Sequence, residues 1–261
     1  MANRTNSALC SRHDFVVTSQ YNCSLEYYLT TDTAYYSFWW KYDLQGTQFN
    51  RNTKPWIEYG TEGYFPLIYN GFGNPDYSDG GLRDSIQDDP MPSGSTEWGG
   101  TNLSSIENEW VRFEVWAVQS TPNVSDGTLR TWVHRPYAGS PSIVLDLDNS
   151  NRMMRTGSSQ WTQWHFGSYI ARDVDPYGGG GPVDVYTYTD DIYFDVTRAR
   201  VEVGNASTWA GCTQREIQRP TAWTGSSITI TANKGSFSSF SGKYVYVVDS
   251  TGVNSNGYAI N

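Results

Sequence analysis

The clearest pattern in the chain is a strict alternation of apolar and polar positions over Glu109–Val118. A tight turn at Asp126-Gly127 follows, and Thr128–His134 then repeats the alternation. A period of two is that of a β-strand with one buried face, and Asp-Gly is a common hairpin turn. These segments therefore predict a hairpin with one apolar and one polar-aromatic face. The predicted apolar face comprises Val111, Phe113, Val115, Ala117, Leu129, Thr131 and Val133.

Weaker alternation and runs of β-branched and aromatic residues predict further strands. They are Asp14–Thr18, Leu25–Thr31, Ala34–Asp43, Trp161–Ala171, Val183–Thr189 and a long terminal strand over Asp190–Gly204. The stretch from Asn70 to Asn108 is polar and rich in Gly, Pro and Asp. It predicts a long loop with a short helix around Leu82–Gln87.

The composition changes near Asn205, and the remainder predicts a small β-module. Its predicted strands are Glu216–Gln218, Ser227–Ala232, Lys243–Asp249 and Gly257–Ile260. About 55 residues is short for an immunoglobulin-like sandwich of about seven strands. An incomplete sheet leaves an apolar face and strand edges uncovered, so the cover must come from the large domain or from a neighbouring subunit.

Composition agrees with many short strands and restricts the partners. The 261 residues include 15% aromatic and only 17% charged residues, with 25 glycines to form turns. A net charge of −9 disfavours nucleic acid but is compatible with divalent cations. No stretch approaches the about 20 apolar residues of a membrane span.

The first residues do not contain the apolar core of a secretory signal. Either a leader has been removed, or the protein leaves the cell by another route. We expect an extracellular or cell-surface location, with a phage-type particle assembled in the cytoplasm as the alternative.

Three cysteines, Cys10, Cys23 and Cys212, have no zinc-site spacing. Cys10 and Cys23 could form a disulfide, either of them could pair with Cys212, or all three could be reduced. Five Asn-x-Ser/Thr sequences are candidate glycosylation sites. They are Asn3, Asn22, Asn102, Asn123 and Asn205.

The order of the strongest segments resembles a known superfamily. The segments Glu109–Val118, Gly127–Val133, Trp164–Tyr169 and Asp190–Glu202 are similar to the concanavalin A-like jelly roll of lectins, glucanases and polysaccharide lyases. The resemblance implies an all-β, antiparallel jelly-roll sandwich with a concave face that in relatives often holds sugar. The predicted organisation is an N-terminal segment at 1–13, the jelly roll at 14–205 and a short Ig-like β-module at 206–261.

The resemblance also supplies tests for enzymatic chemistry. Glucanases of the superfamily carry paired carboxylates in a Glu-x-Asp-x-x-Glu strand, which is absent here. Alginate-lyase-like members have an Arg-x-Glu-x-Arg strand, partly matched by Arg112 and Glu114, and a Gln-x-His strand, matched by Gln163 and His165. If the chain is a lyase, the resemblance gives Arg112, Gln163, His165 and Tyr169 as catalytic candidates. The Tyr-x-Lys-rich strand of that family has no counterpart.

The polar-aromatic face is the other candidate site. We weigh it as a sugar groove, a subunit contact or a covered core face. Its members are Trp39, Lys41, Arg112, Glu114, Trp116, Arg130, Trp132 and His134. No metal spacing involves His13, His134 or His165, and Asp190, Asp191 and Asp195 are weak Ca²⁺ candidates.

An incomplete C-terminal sheet and an incomplete catalytic set together favour a non-catalytic structural role. The sequence-based interpretation is a subunit of an extracellular or virion fibre, joined to copies of itself through β-strand contacts and bearing glycans. No cofactor is expected apart from Ca²⁺. Carbohydrate is the other expected partner, as an attached glycan or a ligand. The alternatives are a carbohydrate-binding module and a polysaccharide lyase acting on an acidic glycan.

Overall fold

The computed structural model describes residues 11–16, 21–43, 52–60, 64–72, 83–87, 96–98, 108–135, 143–171 and 184–261. These residues form three antiparallel sheets, so the predicted all-β fold is confirmed. No helix among them is long and apolar enough to cross a membrane. The strands in chain order are β1 (Ser11–Val16), β2 (Tyr21–Thr31), β3 (Thr33–Asp43), β4 (Asn52–Gly60), β5 (Tyr64–Phe72), β6 (Arg83–Gln87), β7 (Thr96–Trp98), β8 (Val111–Val118), β9 (Gly127–His134), β10 (Ile143–Arg152), β11 (Trp161–Ala171), β12 (Asp184–Asp195), β13 (Arg200–Gly204), β14 (Arg215–Trp223), β15 (Ile228–Thr231), β16 (Tyr244–Val248) and β17 (Tyr258–Ala259).

Two six-stranded sheets form the jelly-roll sandwich. Sheet A has the order β1-β12-β3-β8-β9-β10, and sheet B has the order β2-β11-β4-β5-β6-β7. The predicted hairpin is present as β8 and β9, with Phe113 opposite Val133. All seven residues of its predicted apolar face are fully buried.

Aromatic side chains from both sheets fill the core between them. From β3, Tyr36, Phe38 and Trp40 pack toward Trp56 and Phe166 of sheet B. The Trp40 indole N–H donates to the carbonyl of Gly167 at 2.8 Å, which satisfies its one polar atom. Each such side chain contributes about 1.5–3 kcal/mol by leaving water.

Two acidic residues lie in this core. Tyr36 Oη donates to Glu58 at 2.6 Å, and burial raises the pKa of Glu58 to about 8. Asp84 accepts bonds from Thr131 and Asn149, each at 3.1 Å. Glu58 is therefore a neutral acid at pH 7, which lowers the cost of burying it.

The stretch from Asn70 to Asn108 differs from its predicted loop and helix. Arg83–Gln87 is strand β6, and β7 pairs beside it. The backbone of β6 bonds to both β5 and β7, and these distant partners decide its conformation against the local sequence pattern. Strands β4, β5 and β10 were likewise not predicted.

The predicted terminal strand over Asp190–Gly204 is divided between two sheets. Strand β12 ends at Asp195, whose carboxylate accepts the Thr197 backbone N–H at 2.9 Å and turns the chain. Strand β13 then begins at Arg200, at the centre of a third sheet with the order β15-β14-β13-β16-β17. The third sheet therefore begins at residue 200 and not at residue 206.

The centre of the third sheet is covered on both faces by its own chain. On one face, Val201 and Val203 are buried, and the turn that carries Phe237 is tied back to the sheet. Gln218 bonds the backbone of Asn233, and Glu216 accepts the Ser236 N–H at 3.1 Å. The other face lies on sheet A. Residues 200–261 thus form one sheet, without the second layer of an immunoglobulin-like sandwich.

Candidate functional site

The polar-aromatic face of sheet A lies beneath the third sheet. Arg112 and Glu114 of β8 are almost fully buried and meet charged residues of β13 and β14. We call this cluster the junction network. Its members are Arg112, Glu114, His134, Arg200, Glu202 and Arg215.

Close ion pairs link the two sides of the junction network. Arg112 Nη1 donates to Glu202 Oε2 at 3.0 Å, and Arg200 Nη2 donates to Glu114 Oε2 at 3.2 Å. His134 Nε2 lies 3.0 Å from Glu114 Oε1, and Tyr35 Oη donates to the other oxygen of Glu114 at 2.9 Å. Each carboxylate thus contacts three guanidinium groups, at least one of which lies across the junction.

The electrostatics of the junction network follow from this pairing. Burial alone would raise the pKa of Glu202, but Arg112 and Arg200 outweigh it and lower the pKa to about 2. Burial alone would also raise the pKa of Glu114, but Arg112 and His134 lower it well below its usual range. Burial lowers the pKa of His134 despite the neighbouring Glu114, so its imidazole is neutral at pH 7. Such buried, paired charges are typical of a structural contact.

Other side chains of the polar-aromatic face also contact neighbouring residues of the protein. Trp39 packs in a buried cluster, and the Lys41 ammonium lies 5.1 Å above the Tyr188 ring. Trp132 has the guanidinium groups of Arg130 and Arg198 at 4.9 and 5.5 Å from its ring. The part of this face around Arg112, Glu114 and His134 is covered by the third sheet, whereas Trp116, Arg130 and Trp132 are only partly buried.

The outer face of sheet B, away from the core, carries a different set of polar side chains. Trp164 and Phe166 of β11 point into the core, so the intervening His165 points outward together with Gln163. In the register of the sheet, Gln163 lies between Tyr28 of β2 and Tyr59 of β4. His165 lies opposite Glu26 on one side and Ile57 on the other. We call Glu26, Tyr28, Tyr59, Gln163 and His165 the sheet B site.

The side chains of the sheet B site contact one another. The His165 and Tyr59 rings meet edge to face with centroids 4.7 Å apart. His165 Nδ1 lies 3.9 Å from a Glu26 oxygen, and Tyr28 Oη donates to the other Glu26 oxygen at 2.5 Å. Tyr28 is 62% exposed, whereas His165 is only 7% exposed.

These contacts set the protonation of two members. Burial lowers the pKa of His165 although Glu26 opposes it, so the imidazole is neutral at pH 7. The hydrogen bond to Glu26 raises the pKa of Tyr28, which keeps its phenol protonated. A neutral imidazole and a protonated phenol on one face are a base and an acid for proton transfer.

The two partial lyase motifs do not meet. Arg112 belongs to sheet A and is enclosed in the junction network, whereas Gln163 and His165 belong to sheet B. The backbone of Tyr169 continues β11 and pairs with Lys54. Sequence analysis missed Glu26, Tyr28 and Tyr59, because only the long-range pairing of β2 and β4 with β11 brings them to the motif.

The metal candidates are engaged in local backbone contacts. Asp190 accepts the Asp191 N–H at 2.8 Å, and Asp195 caps the turn after β12. Within the described ranges, no group of three or more His, Cys, Asp or Glu side chains could hold a metal ion. The described residues therefore give no support to the expected Ca²⁺ site.

Cys212 is a buried free thiol, with Sγ 3.3 Å from the carbonyl oxygen of Thr208. The structure therefore gives no support to the alternative that paired it with Cys10 or Cys23. Cys10 lies outside the described residues, and β2 contains Cys23.

Two of the glycosylation candidates are exposed at turns. Asn123 Nδ2 donates to the Thr156 carbonyl at 2.9 Å, and Asn205 Nδ2 donates to the Thr213 hydroxyl at 2.8 Å. Asn22 belongs to β2, and Asn3 and Asn102 lie outside the described residues.

No protein-family model matches the chain, and no curated protein sequence matches it significantly. Solved structures do match. The alginate lyase Aly36B, in complex with an alginate trisaccharide, superposes with a TM-score of 0.52 at 11% identity over 71% of this chain and 80% of that chain. An endo-β-1,4-glucuronan lyase from Trichoderma reesei gives a TM-score of 0.48 at 11% identity, covering 71% of this chain and 80% of that one. An alginate lyase from Aplysia kurodai gives 0.46 at 12% identity, covering 72% and 91%.

These findings correct the predicted function. The interpretation as a non-catalytic, self-assembling fibre or filament subunit is contradicted, because the structure that superposes with a TM-score of 0.52 is that of an alginate lyase. The need for cover that motivated this interpretation is met in part within the chain, since one face of the third sheet lies on sheet A. The chain has the β-sandwich jelly-roll fold that is similar to that of these lyases.

Proposed function

We propose that this protein is a polysaccharide lyase that cleaves an acidic glycan on the outer face of sheet B. The proposal depends chiefly on one observation. A Gln-x-His strand lies between Tyr28 and Tyr59, with a neutral His165 and a protonated Tyr28 on the same face. This set supplies an amide donor, a base and an acid.

The reaction would be a β-elimination at a uronate residue. A base removes the proton from C5, which is acidic because it lies next to the carboxyl group. The C5–H electron pair becomes a C4–C5 double bond, the bond from C4 to the glycosidic oxygen breaks, and that oxygen takes up a proton. No water is consumed, and one product carries an unsaturated uronate.

Four of the five members of the sheet B site have a role in this scheme. The Gln163 amide N–H groups would bind the uronate carboxylate and reduce its charge. Neutral His165 has its Nδ1 toward Glu26, and Nε2 is buried. It would accept the C5 proton at Nε2 once substrate binding uncovers that atom. The exposed phenol of Tyr28 would donate a proton to the leaving oxygen, and Glu26 would orient it.

The comparisons support the proposed substrate class. The matching structures include an alginate lyase with an alginate trisaccharide and a glucuronan lyase, whose substrates are both polyuronates. In this chain the buried Arg112 takes no part in the scheme. The carboxylate would therefore be neutralised by hydrogen bonds from Gln163, without an arginine.

The test measures the ultraviolet absorbance of the unsaturated product with alginate and glucuronan as substrates. Tyr28→Phe should lower turnover by about 10²–10⁴-fold, because it removes the acid and keeps the ring. Tyr27→Phe is the matched control, because Tyr27 is the neighbouring exposed tyrosine on the opposite face of β2. Turnover in the control should match that of the native protein.

Two outcomes would overturn the proposal. One is binding of polyuronate without any product, which would support a carbohydrate-binding module. The other is turnover that Tyr28→Phe and His165→Gln leave unchanged, which would place the chemistry elsewhere.

A further inference from the structure

A groove runs between the end of β12 and strand β14, where the jelly roll meets the third sheet. Its volume is about 670 Å³, and Tyr193, Phe194, Arg219 and Trp223 are among its lining residues. A smaller pocket of about 140 Å³ shares Tyr193 and Arg219 with it and extends inward to Arg112. Neither cavity belongs to the sheet B site, which lies on the other sheet of the sandwich.

Arg219 differs from the other arginines of the junction. Arg112, Arg200 and Arg215 all form ion pairs within the junction network. Arg219 is exposed at the groove, and no carboxylate of the described residues lies within 4.0 Å of its guanidinium group. An exposed guanidinium group is suited to bind a carboxylate through two parallel hydrogen bonds.

The acid that lines the groove is already occupied. One oxygen of Asp195 accepts the Tyr193 phenol at 3.2 Å, and the other accepts the Thr197 N–H at 2.9 Å. Because these bonds hold its carboxylate, Asp195 is directed toward its own turn. Asp195 keeps its negative charge but faces its own turn, and Arg219 is the cationic side chain that lines the groove.

Trp223 supplies an apolar surface beside this charge. Its side chain is 42% exposed at the end of β14, although tryptophan is normally well buried. An exposed indole in a concave groove is a flat surface on which a sugar ring can stack, and its N–H can bond a hydroxyl.

The backbone of β12 has an unusual conformation just before the residues that line the groove. The register of β12 is irregular between Asp190 and Tyr193, and Asp191 has a φ of 46°. A bulge with a non-glycine residue in the left-handed region costs about 1–3 kcal/mol and redirects the side chains that follow. Here the residues that follow, Ile192 and Tyr193, line both cavities.

The groove adjoins the edge of sheet B. Phe194, which lines the groove, has its ring 4.8 Å from that of Tyr27. Tyr27 is 45% exposed on the edge strand β2, and the next residue is Tyr28 of the sheet B site. Exposed aromatic rings therefore lie at the strand edge between the two regions.

We propose that this groove is an accessory binding site for an acidic polysaccharide, with a sugar ring stacked on Trp223 and a uronate carboxylate on Arg219. The identity of the ligand class rests on the proposed lyase function, whereas the groove itself does not. Long polyuronate chains would then occupy the groove and the sheet B site together, and short oligosaccharides would occupy the sheet B site alone.

The test is affinity electrophoresis of the full chain in gels that contain alginate, or a neutral glucan as comparison. Trp223→Ala and Arg219→Gln should each weaken retention by alginate about tenfold. Tyr258→Ala is the matched control, because Tyr258 is 81% exposed on the same sheet and lies outside the groove. In turnover assays, the two groove variants should lose efficiency on long chains and keep it on short oligosaccharides.

The outcomes separate this inference from the proposed function. Native retention of both groove variants would overturn the accessory site even if the protein is an active lyase. Equal retention by neutral glucan, unaffected by Arg219→Gln, would overturn carboxylate recognition. Weaker alginate retention of the variants in a protein without turnover would support the groove and overturn the lyase proposal.

Discussion

Glu58 and Glu202 are both fully buried, yet the pKa of Glu58 is raised and that of Glu202 is lowered. Glu58 has a tyrosine hydroxyl as its hydrogen-bond donor and the acidic Asp84 nearby. Glu202 instead contacts the guanidinium groups of Arg112, Arg200 and Arg215. Burial penalises the charged form in both cases, and the charge of the neighbours decides which form is stable.

Glu58→Gln should remove a pH dependence of stability. In the unfolded chain Glu58 loses its proton above about pH 4.5, whereas in the folded chain it keeps the proton up to about pH 8. Unfolding between these values releases a proton, so raising the pH through this window lowers the free energy of unfolding, by about 5 kcal/mol at most.

Denaturant unfolding of both proteins at pH 5 and pH 8 measures this effect. The native protein should lose stability between the two values, and the Gln variant should lose less of it. An identical loss in both proteins would contradict the buried, neutral state of Glu58.

At the scale of strands, local pattern predicted the elements whose two faces differ in polarity. Val111 and Phe113 alternate with Arg112 and Glu114, so β8 could be predicted, with the correct inward face. The sequence could not show that the outer face is also buried. The partners of Arg112 and Glu114 are supplied by β13 and β14, which lie 86 to 103 residues further along the chain.

The same reason explains the gaps in the predicted site. Gln163 and His165 could be singled out from their spacing, but Tyr28 and Tyr59 become their neighbours only through sheet pairing. Strand β6 has no clear alternation of its own, and its conformation follows from its two neighbours.

Close packing at the end of β13 gives a prediction for the third sheet. A Cβ atom at Gly204 would lie 2.5 Å from Cys212 Sγ and 3.0 Å from the Tyr246 ring. Gly204→Ala should therefore lower the free energy of unfolding by about 1–3 kcal/mol. Gly225→Ala is the control, because nothing lies within 4 Å of the added atom.

Chemical unfolding curves distinguish these two variants. A double variant with Gly204→Ala and Cys212→Ala should regain part of the loss, since it removes the sulfur that clashes. Equal stability of the Gly204 and Gly225 variants would contradict the close contact.

At the scale of the molecule, three layers are stacked as sheet B, sheet A and the third sheet. The junction network fixes the third sheet on sheet A. Arg112, Glu114 and His134, which sequence analysis weighed as part of a sugar groove, a subunit contact or a covered face, therefore lie inside the protein. The outer face of sheet B carries the proposed site. The layer order thus places the candidate chemistry and the junction on opposite sides of the jelly roll.

Glu202→Gln should weaken the contact between the layers. The variant leaves buried guanidinium groups without a full counter-charge, which typically costs about 3–5 kcal/mol at pH 7. The ionised Glu202 raises the free energy of unfolding at pH values above 4.5, its pKa in the unfolded chain. This stabilisation is lost as the pH falls toward about 2, its pKa in the folded protein.

Calorimetric unfolding at pH 7 and near pH 3 tests this prediction. The difference in stability between the native protein and the Gln variant should be large at pH 7 and should shrink at the lower pH. A constant difference at both values would contradict the lowered pKa of Glu202.

The pairing of β1 with β12 has a consequence for how the protein is made. Ser11 bonds across to Thr189, so sheet A cannot acquire its first strand until most of the chain has left the ribosome. Contacts this distant in sequence raise the contact order and slow folding. Until then, the nascent chain exposes the aromatic strands β3 and β8, which are prone to aggregate. We expect the newly made protein to depend on chaperones during this interval, and its yield to improve when synthesis is slowed at low temperature.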